Sequence, residues 1–230
     1  MTEKGKLIVI DGTSDGAGKK TQTERLRDRL LAEEFRVKMY DFPRYGERSA
    51  TLVEDYLNGK FGKADEVGSY VPSIFYACDR FSVSAEMKAW LASGGIAVTN
   101  RYTSSNKGHQ AGKIKDPEER KRFLEWLDNL EHGIFGIPRP DLNMLLTISP
   151  ERGQILVDRK GHRDYVGGSK RDIHEADIQH LRDARQAYLE VAQAEGWKII
   201  QCDPNGVLRA IDDIANEVWQ TVQPILTRKS

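Results

Sequence analysis

The sequence predicts an α/β fold built on a parallel sheet, and three observations carry that expectation. Short apolar runs of strand length alternate with longer stretches of helical spacing. The first apolar run, Leu7-Ile8-Val9-Ile10, passes into a glycine-rich turn and then a helix-like stretch, Gln22 to Leu31. No internal repeat, low-complexity segment or linker breaks the pattern, so residues 1–230 are expected to form a single domain.

Each element has its own signal. Leu7–Ile10 reads as a fully buried strand, and Leu26, Leu30 and Leu31 give the following segment its helical spacing. Arg36–Tyr40 alternates and reads as a second strand, running into the turn-rich loop Asp41–Gly46. Ala50–Leu57 is a short helix ended by Asn58-Gly59. Ser73–Leu91 is expected to be one long amphipathic helix, stopped by Ser93-Gly94-Gly95. Ile96–Thr99 is a third buried strand. Pro117–Leu130 is helical, with Phe123, Leu124, Trp126, Leu127 and Leu130 on one face. Leu142–Ile148 is a fourth strand and Trp197–Cys202 a fifth. Helices are expected over Pro150–Lys160, Ala176–Ala194 and Val207–Ile225. The segment 161–172 is dense in glycine and charge and is the candidate for a mobile flap.

Composition narrows the function classes. Charged residues make up 30% and hydrophobic ones 39%, a globular and soluble balance. Lys+Arg and Asp+Glu both number 35, and this zero net charge argues against a general nucleic-acid binder. No apolar stretch is long enough to span a membrane, and no apolar core follows the N-terminus as in a signal peptide. A cytoplasmic enzyme is the expected class. The two cysteines, Cys78 and Cys202, lack metal or redox spacing and read as small buried residues.

The most informative segment is Gly12-Thr13-Ser14-Asp15-Gly16-Ala17-Gly18-Lys19-Lys20-Thr21. Strand, glycine-rich turn, lysine and helix in that order form a phosphate-binding P-loop. The glycines let backbone N–H groups face phosphate oxygens, and the helix start adds its positive dipole end. Lys19 supplies a mobile charge for the terminal phosphates. The pattern departs from the usual one twice. Five residues separate Gly12 from Gly18 where four are usual, an inserted residue or a Thr13 in place of glycine. Lys20 stands where a Ser or Thr hydroxyl would bind Mg²⁺, with Thr21 one step later.

In a parallel sheet, ligands bind beyond the carboxyl ends of the strands. Arg44 and Arg101 stand early in the loops after the second and third strands, and Arg80 lies on the long helix in Tyr76-Ala77-Cys78-Asp79-Arg80. A guanidinium fork suits bidentate contact with phosphate. A P-loop facing a second phosphate site implies transfer between two phosphorylated molecules, with water excluded by a closing basic flap.

These residues carry a family resemblance. The chain resembles the thymidylate kinases, P-loop enzymes that phosphorylate dTMP with ATP, from residue 5 to about 225. The resembling segments are Ile10 through Gln22, Phe42-Pro43-Arg44, Asp79-Arg80, Asn100-Arg101-Tyr102 with Ser105 and Gln110, Pro140-Asp141-Leu142, and Arg163 through Glu175. Phe42-Pro43-Arg44-Tyr45-Gly46-Glu47 and Lys170-Arg171-Asp172-Ile173-His174-Glu175 are similar to a bacterial subgroup.

The resemblance implies a P-loop NTPase three-layer sandwich with strand order 2-3-1-4-5 and a basic lid at about 159–174. It implies ATP as donor, Mg²⁺ as cofactor, dTMP as acceptor, dTDP and ADP as products, and a homodimer. Asp15 would contact the sugar hydroxyl and lie near the metal. Gly16, Ala17, Gly18, Lys19, Lys20 and Thr21 would hold the ATP phosphates, with Thr21 the candidate for Mg²⁺. Arg44, Arg80 and Arg101 would grip the dTMP phosphate. Tyr76 or its neighbour Phe75 would stack on the base, although Phe75 also reads as plain core. Phe42, Asn100, Ser105 and Gln110 complete the acceptor set. Arg163 and Arg171 would stabilise the transferring phosphoryl group, because Gly16 occupies the loop position at which some members carry that arginine. Asn100 stands where most members have aspartate, and an amide brings no negative charge toward Mg²⁺. Two other readings stay open: a kinase for another nucleotide or a deoxynucleoside, and a nucleotide-binding scaffold with weakened catalysis.

Overall fold

A computed structural model describes residues 4–158 and 178–226, with the side chains of residues 157 and 158 left aside. The lid expected at 159–174, with Arg163 and Arg171, lies outside the described residues.

The described residues form a five-stranded, wholly parallel sheet: β1 (Leu7–Gly12), β2 (Val37–Asp41), β3 (Ile96–Asn100), β4 (Leu142–Thr147) and β5 (Lys198–Gln201). Their order is β2-β3-β1-β4-β5, as the resemblance implied. β1 sits in the centre, and its side chains alternate between two cores. Ile8 and Ile10 pack with Leu26, Leu30, Val98, Met144, Leu146 and Trp219 on one face. Leu7 and Val9 pack with Phe42, Met87, Leu91 and Tyr102 on the other. A parallel strand covered on both faces reads as a continuous apolar run, which is why this strand was legible. Each such side chain contributes roughly 1.5–3 kcal/mol on burial.

Helices cover the two faces. α1 (Lys19–Ala32) follows the glycine turn and packs beside α10 (Ile211–Val222). α2 (Thr51–Leu57) and α3 (Ala64–Val67) lead to α4 (Tyr70–Ser82) and α5 (Ser84–Ala92). α6 (Thr103–His109) follows β3, α7 (Pro117–Asp128) precedes β4, and α8 (Pro150–Asp158) follows it. α9 (Ile178–Ala194) buries Leu181, Ala184, Tyr188 and Val191 along one face, which it lays against α6.

Several expected boundaries shift for local reasons. The long helix expected over Ser73–Leu91 is two helices. It starts earlier, with Pro72 in its first turn, and breaks at Val83 (φ −113°, ψ 3°), where Ser82 Oγ donates to the Asp79 carbonyl at 2.7 Å. α7 begins as its residues dictate, with Asp116 Oδ1 accepting from the Glu119 amide at 2.7 Å and Pro117 in the first turn. It ends at Asp128 in a π-helical turn, Asn129–Ile134. The last helix starts at Ile211 rather than Val207, because Asn205 (φ 55°) and Gly206 (φ 76°) turn the chain left-handed. The short α6 had no sequence expectation. Cys202 is buried, but Cys78 is exposed on the outer side of α4, next to exposed Ile74 and Phe81. No helix among the described residues is long and apolar enough to cross a membrane.

Candidate active site

The P-loop hangs from the end of β1 and is stitched to β4. The Thr13 amide donates to the Leu146 carbonyl at 3.0 Å, and Thr13 Oγ1 lies 3.3 Å from the Ile148 carbonyl and accepts from the Ile148 amide at 3.2 Å. These bonds hold Thr13 against the end of β4. Gly18 takes φ 81°, a left-handed step open to glycine, and starts α1. A Cβ at Gly16 would stand 2.6 Å from the Gly153 carbonyl oxygen of α8, so no arginine can occupy that position without displacing α8. Lys19 is buried, its Nζ donating to the Ser14 carbonyl at 2.9 Å and to Asp15 Oδ1 at 2.8 Å. Lys20 and Thr21 are exposed on the first turn of α1.

Beside the loop opens a cleft walled by the P-loop, the loop after β2, α4 and α6. Asp15, Phe42, Tyr76, Arg80, Arg101, Ser105 and Gln110 all line it, so most of the expected acceptor set converges. Arg101 holds a left-handed backbone (φ 63°), rare for a side chain of its size, with its amide donating to the Ile10 carbonyl at 3.0 Å. Its Nη2 donates to Asp15 Oδ1, the atom that Lys19 also reaches. One carboxylate thus receives a cation from the P-loop and a cation from the end of β3.

Other expected residues fall elsewhere. Arg44 does not line the cleft. Its amide donates to Asp79 Oδ2 at 2.8 Å and its Nη1 to Ser82 Oγ at 3.1 Å. Phe75 packs on Phe61, ring centroids 5.6 Å apart, and leaves the cleft wall to Tyr76. Arg80 lies in the cleft, but Nε and Nη2 each donate at 2.7 Å to buried Glu131, and Nη1 lies 3.3 Å from the Tyr102 carbonyl. Its charge is neutralised, so it presents hydrogen-bond donors rather than a free cation.

Asn100 Nδ2 donates to Asp41 Oδ1 at 2.7 Å, and the two residues are register partners at the ends of β3 and β2. Asn100 thus has a carboxylate beside it, but neither Asn100 nor Asp41 lines the cleft. Burial raises the Asp41 pKa, opposed by the Asn100 hydrogen bond and by Lys20 and Lys19. Asn100 Oδ1 is buried without a protein hydrogen-bond partner among the described residues. No group of three or more His, Cys, Asp or Glu side chains among the described residues could hold a metal. Mg²⁺ asks for fewer protein ligands, one or two carboxylates beside substrate phosphates, and the hard oxygens of Asp15 and Thr21 fit it in kind.

Four contributors had no role in the sequence reading. Asp11 Oδ2 accepts from Ser104 and Ser105 Oγ at 2.7 Å each, and Oδ1 from the Gly12 amide at 2.8 Å. The Ser105 hydroxyl proton is thereby committed, leaving its lone pairs for the cleft. Asn106 and His109 also line the cleft, and Glu131 anchors Arg80 from the π-helical turn. The sequence hint for Glu131 was a carboxylate directly after the apolar face of α7; burial had to be seen to give it meaning.

Comparison with known proteins identifies the family. The thymidylate kinase family model matches residues 10–211. A thymidylate kinase of Mycobacterium tuberculosis is 30% identical over 193 residues, covering 83% of this chain and 87% of that protein. One from Schizosaccharomyces pombe is 23% identical over 222 residues, covering 96% and 93%. A solved thymidylate kinase from Candida albicans superposes with a TM-score of 0.72 at 24% identity, over 96% of this chain and 92% of that one, and supports the fold. With a P-loop, an arginine-lined cleft beside it and a family match over most of its length, the chain belongs to the thymidylate kinase family, whose reaction is ATP-dependent phosphorylation of dTMP to dTDP.

Proposed function

We propose that two nucleotides lie end to end, with ATP phosphates on residues 16–21 and dTMP in the adjoining cleft. The observation that carries this is the convergence of Lys19 and Arg101 on Asp15. Each cation is suited to phosphate, and the shared carboxylate keeps them together when phosphate is absent. Arg101 binds the acceptor phosphate, Tyr76 stacks on the base, and Arg80, held by Glu131, donates a directed hydrogen bond. Ser105 accepts from the nucleotide. Phosphoryl transfer then needs alignment and charge neutralisation more than covalent help.

Mg²⁺, when bound, would neutralise phosphate charge, with Asp15 and Thr21 as the protein oxygens that would hold it. Arg163 and Arg171 of the lid keep their role as charge stabilisers on the strength of the sequence. The blocked approach at Gly16 supports a source outside the P-loop. A homodimer is part of the reading, supported by exposed Tyr70, Val71, Ile74 and Phe81 on α4. So is a cytoplasmic location.

A coupled assay with ATP, Mg²⁺ and dTMP tests the proposal. Formation of dTDP supports it. Turnover only with another acceptor transfers the reading to that nucleotide, and binding without product supports a scaffold.

A further inference from the structure

We infer that His109 is a positioning residue for Arg101: its Nε2 accepts a hydrogen bond from Arg101 Nη1 and holds the guanidinium toward the acceptor phosphate. The two atoms lie 3.4 Å apart. A guanidinium has only donors, so the imidazole nitrogen facing it must be the acceptor. The ring is then neutral, with its proton on Nδ1. An imidazolium at the same place would set two cations against each other.

The surroundings favour that neutral form. His109 ends α6 and lines the cleft. It stacks on His180 of α9, centroids 6.0 Å apart with the planes 19° from parallel, and meets the edge of Tyr188 at 5.4 Å. Burial, and then Arg101, His180, Lys19 and Lys113, hold its pKa well below the usual imidazole value.

Arg101 is thereby bracketed, with His109 at Nη1 and Asp15 at Nη2. An arginine fixed before the ligand arrives has less conformational freedom left to lose on binding. The packed stack matters because it gives the imidazole little room to rotate away. This inference rests on the reading of Arg101 as the phosphate grip, and its test separates the two.

His109→Phe keeps a ring against His180 and Tyr188 but removes the acceptor. His109→Gln restores one. We expect His109→Phe to raise the KM for dTMP about tenfold with a smaller change in kcat, and His109→Gln to recover most of that loss. In an Arg101→Ala background, His109→Phe should add less than about twofold, because the interaction it removes is already gone. ¹⁵N NMR of the ligand-free wild-type protein should show an unprotonated Nε2 and a protonated Nδ1. An Nε2–H tautomer, or a His109→Phe protein with KM within twofold of wild type, would overturn the inference. The NMR result decides it even if a variant does not fold. Failure of the Arg101 reading shows separately, as an Arg101→Ala protein with an unchanged dTMP requirement.

Discussion

Arg80 and Glu131 form a two-pronged ion pair, Nε–Oε2 and Nη2–Oε1 both at 2.7 Å, in which the arginine is 2% and the glutamate 0% exposed. The pair ties α4 to the π-helical turn and fixes one wall of the cleft. Asn106 Nδ2 adds a third donor to Glu131 at 3.0 Å. Removing one partner leaves the other buried and uncompensated. Glu131→Ala should therefore destabilise the protein by about 3–5 kcal/mol in urea unfolding. Arg139→Ala, which breaks the exposed pair with Asp128, should cost less than about 1 kcal/mol. Equal effects would mean that the buried pair is not held as described.

Arg101→Ala should raise the dTMP requirement by well over tenfold, as loss of a charge-assisted phosphate contact does. Steady-state kinetics at saturating ATP measures this. Arg44→Ala should have the smaller effect of the two, because its side chain reaches Ser82 rather than the cleft.

Lys19→Ala should abolish phosphoryl transfer while the fold persists. The Nζ contacts with Ser14 and Asp15 lie within the loop itself, and the apolar cores do not depend on them. Single-turnover assays with a circular-dichroism control read both quantities. Retained transfer would remove Lys19 from the phosphate site.

Tyr76→Ala should raise the KM for dTMP, whereas Phe75→Leu should leave it near wild type and lower stability by about 1 kcal/mol. The two side chains are neighbours in sequence, but Tyr76 lines the cleft and Phe75 packs on Phe61.

Lys113 is partly buried, its Nζ donating to Tyr56 OH at 2.6 Å and to the Gly68 carbonyl at 3.0 Å. Burial lowers its pKa to about 7. Below that pH the ammonium is charged in both folded and unfolded chains, and the cost of burying it is fully present. As pH rises from about 7 toward the ordinary lysine value, the folded protein loses the proton first and this cost is relieved. The stability of wild type relative to Lys113→Met should rise by a few kcal/mol across that window. A pH-independent difference would show that Lys113 titrates normally.

Much of the fold could be read from residue pattern because the pattern is local. The apolar run at Leu7–Ile10 reflects a central strand covered on both faces, and the glycines and Lys19 mark the turn that follows. Asp116-Pro117 marks a helix start through its own backbone chemistry. The break at Val83 was hidden, since the residues on both sides keep helical spacing and only Ser82's bond to the Asp79 carbonyl and the turn at Val83 distinguish it. At the site, Arg101, Asp15, Tyr76, Ser105 and Gln110 were legible through family resemblance and prove to line one cleft.

By itself, the sequence determined the parallel α/β frame, the phosphate-binding turn and the kinds of side chain available to a second nucleotide. Those properties follow from spacing of a few residues and from side-chain chemistry. Tertiary structure alone decided which charges are offered to a ligand and which are consumed. Arg80 is neutralised by Glu131, 51 residues away, and Arg101 is bracketed by Asp15 and His109. Asn100 is tied to Asp41, 59 residues earlier, at the end of the neighbouring strand. Electrostatic interaction depends on distance in space and on burial, and chain order specifies neither until the sheet has brought its strand ends together.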